Sequence, residues 1–87
     1  MENNVDGIIN LPKKDFVKIM IETKPNQGIT VQWISRQLRE LILIGSVRNL
    51  RQISPNQVEM EVKSIIKDIV KTAVDRNSET MKFEEVD

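Results

Sequence analysis

Arg36, Arg39, Arg48 and Arg51 fall between residues 30 and 53, a stretch without lysine. Guanidinium groups are planar, weakly hydrated and matched to carboxylate or phosphate oxygens. This spacing therefore points to local ion pairs, to anchoring at a protein interface, or to phosphate contact. Trp33, the only tryptophan, lies in the same stretch, and its large ring suits a partner-binding anchor. The other candidates are carboxylates. On a helix Glu59 and Glu61 diverge, while Asp68 and Asp75 share a polar face, so neither pair predicts acid–base work. The chain has no Cys and no His, which excludes a thiolate or Cys/His zinc site, a Cys nucleophile and a His-based triad. Gly7, Gly28 and Gly45 stand apart and build no phosphate-cradling loop. We expect no catalytic residue, no metal and no cofactor.

The elements that would position these side chains follow from periodicity. Pro12 suits a first helical turn, and Phe16, Ile19, Met20 and Thr23 share one helical face, so the spacing predicts a helix over about 12–24, ended by Pro25. Val17, Ile19 and Ile21 also alternate, as do Ile29, Val31 and Trp33 beyond the Pro25-Asn26-Gln27-Gly28 turn, which leaves a strand or hairpin near 17–33 open. Thr30 is an N-cap for a second helix over 30–44, with Val31, Ile34, Leu38, Leu41 and Ile42 on one face. At Gly45 the register breaks, through a kink or a stop. Val47, Leu50 and Ile53 recur every three residues, which favours a short helix over 46–53. Ser54-Pro55-Asn56-Gln57 has the capping-box pattern, and Val58, Val62, Ile65, Ile66, Ile69 and Ala73 continue it as an apolar stripe, a helix over 55–75. The fold class expected is all-α, a domain of three or four helices over 11–76. Residues 1–10 read as a flexible N-terminus and 77–87 as a disordered acidic tail.

The 87 residues carry thirteen basic and thirteen acidic side chains, for a net charge of zero, but unevenly: a mildly basic middle lies between acidic ends. A monomer of this size hides only about two thirds of the surface its unfolded chain exposes, and no disulfide supplements its core. Leu43, Ile44, Val47 and Leu50 form a second apolar surface, displaced from the first. With Trp33 they are the expected homodimer or partner interface of a non-enzymatic binding or regulatory module. No apolar stretch reaches the length of a membrane span, and Met1-Glu2-Asn3-Asn4 lacks a signal pattern, so the setting expected is intracellular, cytoplasmic or, for a eukaryotic DNA-binding protein, nuclear.

Ile29-Thr30-Val31-Gln32-Trp33, a following helix, a turn at Gln52-Ile53-Ser54 and a helix from Pro55 form an order similar to that of ribbon-helix-helix repressors. The likeness spans roughly residues 29–74 and rests on element order. It implies a DNA-binding regulator as the alternative function: an intertwined dimer that inserts paired strands into the major groove, reading bases with Thr30 and Gln32 while Arg36, Arg39, Arg48 and Arg51 hold phosphates.

Overall fold

Val17, Ile19, Ile21 and Thr23 alternate with Phe16, Lys18, Met20 and Glu22, and it is this period of two that the chain obeys. In the computed structural model, which describes residues 15–75 and 81–86, Phe16–Thr23 is a strand, β1. The chain continues through helices α1 (Val31–Gln37) and α2 (Arg39–Leu43), strands β2 (Val47–Ser54) and β3 (Gln57–Lys63), a 3-10 turn at Ser64–Ile66, helix α3 (Lys67–Val74) and strand β4 (Met81–Val86). The sheet order is β2-β3-β1-β4 with every neighbour antiparallel. That connectivity is the doubly split βαβ topology termed ferredoxin-like.

The all-α expectation is thus overturned: strands take 43% of the structure and helices 34%. The helix expected over 12–24 is β1, its residues 12–14 lying outside the described ones. The helix over 30–44 is present as α1 and α2, separated at Leu38 (φ −110°, ψ 20°). Thr30 caps it, its Oγ1 accepting from the Trp33 N–H at 3.1 Å. This places Ile29 and Thr30 in the loop before α1, so residues 29–33 form no strand.

Gly45 ends the helix rather than kinking it. The Ser46 N–H donates to the Leu41 carbonyl at 2.8 Å and the Gly45 N–H to Ile42 at 3.0 Å, while Gly45 takes φ 78°. This is a Schellman stop, whose left-handed residue favours glycine.

Residues 46–53 form no helix. Val47 pairs with Val62 and Arg48 with Glu61, but Arg51 pairs with Glu59, so Asn49 and Leu50 together oppose Met60; a second shift follows at Ile53. Each bulge inserts one residue and bends the strand, which is how Val47 and Leu50, three residues apart, both come to pack on the core, while Ile53 is 40% exposed. Asn49 supports the first bulge at φ 55°, a conformation Asn tolerates better than most residues.

Nor does a helix start at Pro55. Ser54-Pro55-Asn56-Gln57 is a hairpin turn, in which Ser54 Oγ accepts from the Asn56 N–H at 3.4 Å and meets Gln57 Oε1 at 3.0 Å. A serine hydroxyl capping a nearby N–H serves a turn as well as a helix start. The expected acidic tail includes β4, whose Met81 and Phe83 pack on the core; residues 76–80 and 87 lie outside the described residues, as does the expected flexible 1–10.

Both helical segments lie on one face of the sheet. Ile19, Ile21, Val47, Val58, Met60 and Val62 from the strands meet Ile34, Leu38, Val70 and Val74 from the helices. Among the described residues no helix lies on the opposite face, called the open face below. At the end holding the β2–β3 turn, Gln52 accepts from the Val31 N–H at 3.0 Å and donates to the Ile29 and Ser54 carbonyls at 2.7 and 2.6 Å. Asn56 adds a bond to the Thr23 carbonyl at 2.6 Å. That end is pinned by side-chain amides. No helix among the described residues is long and apolar enough to cross a membrane.

Candidate functional site

At the far end of the sheet, where α2 passes into β2 and β3 into α3, no comparable set of side-chain amide bonds is present among the described residues. The Schellman stop turns the chain back immediately after Leu43 and Ile44, so the last helical residues project from the end of α2 rather than onto the sheet. Leu43 is 74% exposed and Ile44 72%. The 3-10 turn does the same across from them: Ile66 packs on the core, whereas Ile65 is 75% exposed. The Lys63 N–H donates to the Ser46 carbonyl at 2.9 Å, which fixes the two turns side by side. Ile69, four residues beyond Ile65, is 56% exposed. Isolated exposed aliphatics are ordinary; these four stand at or near one end of the domain, while a fifth, Ile53, is 40% exposed on β2 beside the β2–β3 turn.

Ile69 also lines a cleft of about 500 Å³ between the α1–α2 pair and α3. Leu38, Leu41 and Ala73 complete its apolar lining, and Arg36, Arg39 and Glu40 stand at its rim with Gln37. Neither Arg36 nor Arg39 has a carboxylate partner among the described residues.

The other two arginines lie on the opposite side of the molecule. On the open sheet face Arg48 Nε donates to Glu61 Oε1 at 2.9 Å and Arg51 to Glu59 Oε1 at 2.8 Å. Arg48 also stacks over the Phe16 ring at 3.6 Å. Its hydrogen bond, joined by one from Asn49 Nδ2 at 2.8 Å, holds the Glu61 carboxyl below its ordinary range. These charges satisfy one another within the sheet.

The residues expected to form one interface are therefore separated. Leu43 and Ile44 are exposed together, but Val47 is 1% exposed in the core and Leu50 packs against it. Trp33 is half-buried ten residues upstream of Leu43, where it lines a recess of about 390 Å³ with Gly28, Pro55 and Met81 at the pinned end. Of the residues assigned to nucleic acid, Thr30 is engaged as a helix cap, Gln32 is exposed on α1, and the arginines divide between two faces.

The sequence pattern places Ile65 and Ile69 in the apolar stripe of an expected helix, not at an interface. The available signal was the doublet Ile65-Ile66, like Leu43-Ile44: where adjacent aliphatics stand at the end of an element, one covered face cannot hold both. Among the described residues no group of three or more carboxylates is placed to hold a metal ion.

Comparison with known proteins adds no further constraint: no protein-family model, no curated protein and no solved structure matches the chain.

Proposed function

We propose that this chain is a non-enzymatic protein-binding module, whose working surface is the aliphatic end Leu43, Ile44, Ile65 and Ile69 together with the adjoining cleft. Its partner is an amphipathic, acidic protein segment, whose apolar side chains enter between α2 and α3 while its carboxylates meet Arg36 and Arg39. The topology itself hosts unrelated functions, so the reading stands on the surface. The observation that carries it is a cleft in which the exposed Ile69 meets Arg36 and Arg39, neither with a carboxylate partner among the described residues, next to an end that also exposes Leu43, Ile44 and Ile65. Helix-in-groove recognition uses this combination. An intracellular setting accords with the absence of cysteine, because secreted domains this small generally draw on disulfides.

The test is a titration of the isotope-labelled full chain, followed by nuclear magnetic resonance, with an amphipathic peptide of about four helical turns. One peptide carries leucines on one face and glutamates opposite; a second carries lysines in place of the glutamates. The acidic peptide is expected to shift resonances of Leu38, Leu41, Ile69 and the Arg36 and Arg39 side chains, the basic one far less. Ile69→Asp should suppress the response while leaving the circular dichroism spectrum unchanged. Silence from both peptides at millimolar concentration, or shifts confined to the open sheet face, would overturn the reading.

A further inference from the structure

The sheet has two edges, and they are not alike. β2 is broken by two bulges, a device that twists an edge away from further pairing. β4 pairs with β1 through six consecutive residues, Met81 to Val86, without a register shift. No proline interrupts it, and among the described residues no strand pairs with its outer row of backbone N–H and carbonyl groups. We propose that this edge is a self-association surface, on which a second copy of the chain adds its own β4 antiparallel to the first, joining two four-stranded sheets into one of eight.

The side chains choose the partner. A two-fold axis normal to the sheet keeps both helical layers on the same side and requires residues opposite each other to share a face. Only two such registers keep five of the strand's residues paired, one centred on Phe83 and one on Glu84. Centring on Glu84 sets that carboxylate against its own copy, which is unfavourable. Centring on Phe83 sets Lys82 opposite the second copy's Glu84, twice by symmetry, and Phe83 opposite Phe83; it also sets Met81 opposite Glu85, whose carboxylate is already paired with Lys67 at 3.1 Å. Lys82 and Glu84 lie on the open face with no ion pair among the described residues. Phe83 is half-buried beneath Lys71, whose Nζ stands 6.0 Å from the ring centroid, so the ring has uncovered area to offer on the side of the helices. The edge is thus complementary to itself in charge on the open face and joins the two Phe83 rings on the other, in a single register.

Sedimentation equilibrium of the full chain tests this. The wild type is expected to show a monomer–dimer equilibrium. Lys82→Glu and Glu84→Lys each turn two attractive cross-strand pairs into two repulsive ones and are expected to weaken association by on the order of tenfold or more. The double variant Lys82→Glu/Glu84→Lys restores opposite charges across the axis and is expected to recover the wild-type constant; both positions are exposed, and circular dichroism confirms that each variant folds. A wild type that stays monomeric at millimolar concentration overturns the proposal, as does a double variant no better than the singles. Dimers abolished by Ile65→Asp but insensitive to these charge reversals overturn it too, and assign self-association to the aliphatic end instead. Peptide binding in the α2–α3 cleft is read independently, so either result can fail alone.

Discussion

Val47 and Leu43 stand four residues apart, and the structure gives them opposite energetics. Val47 is 1% exposed and directly opposite Val62, whereas Leu43 is 74% exposed at the end of α2. Val47→Ala deletes two carbons from a closed core, worth about 1.6 kcal/mol by transfer at roughly 0.8 kcal/mol per carbon. The cavity left behind raises the expected loss to about 2–3 kcal/mol. Leu43→Ala deletes three carbons, but with only about a quarter of the residue covered the same coefficient gives roughly 0.6 kcal/mol, and the better helix propensity of alanine offsets part of it. A domain of this length has roughly 4–13 kcal/mol in total, so both variants fold. Urea denaturation followed by circular dichroism should separate them at unchanged slope, with the melting temperature of Val47→Ala lower by roughly 8–20 °C and that of Leu43→Ala by no more than about 4 °C. Equal losses would show that Leu43 is covered and would sink the assignment of the exposed end. A loss below about 0.5 kcal/mol for Val47→Ala would remove Val47 from the core.

Two further outcomes are expected. Asn49 holds a left-handed conformation at the first bulge of β2. Asn49→Gly should therefore lose only the exposed hydrogen bond to Glu61, whereas Asn49→Val, which loses it too, should cost about 1–2 kcal/mol more in urea denaturation; equal stabilities would mean that the bulge does not need the positive φ. Glu61 titrates below its ordinary value of 4.5, first because of the Arg48 hydrogen bond and next because of Asn49. A carboxyl with a depressed folded-state pKa contributes stability that is complete above the unfolded value and is lost as the pH falls through the folded one. Glu61→Gln should accordingly flatten the dependence of the urea midpoint on pH below 4.5, and a carboxyl resonance of Glu61 titrating at or above 4.5 would contradict the geometry.

The parts of the fold that read correctly from sequence were those with one consistent period. Thr30, the α1–α2 stretch and the discontinuity at Gly45 were legible, because a cap, a helical stripe and an isolated glycine agree with one another. β2 was not, because its first bulge sets the core-facing Val47 and Leu50 three residues apart, and with the exposed Ile53 they mimic a helix turn. β3 was obscured differently. Val58 and Val62 are four apart, which satisfies both periods, and only Met60 between them favours the strand. In β4, three acidic and basic side chains surround Met81 and Phe83, because an edge strand covered on one face shows little apolar pattern. Arginine clustering misled for a topological reason. A helix and the strand that follows it lie in different layers, so neighbours in sequence such as Arg39 and Arg48 end on opposite sides of the molecule.

The two faces of the sheet also differ in what they can contribute to binding. On the open face each arginine already has its carboxylate, and a ligand there would have to replace one set of ion pairs with another at little gain. Leu43, Ile44, Ile65 and Ile69 are different, since each retains most of its surface in water and has no internal alternative. Covering them yields on the order of 1–2 kcal/mol apiece, against an association cost of at least about 4 kcal/mol. Their contribution alone corresponds to weak binding, short of the roughly 8 kcal/mol that a micromolar complex requires. The difference must come from the cleft and its rim, which gives Arg36 and Arg39 a defined part. If they meet carboxylates, raising the salt concentration should slow association while leaving dissociation nearly unchanged, because rim charges act mainly on encounter. A complex whose association rate ignores salt would have to be held by the aliphatics alone, and their area is too small to hold it tightly.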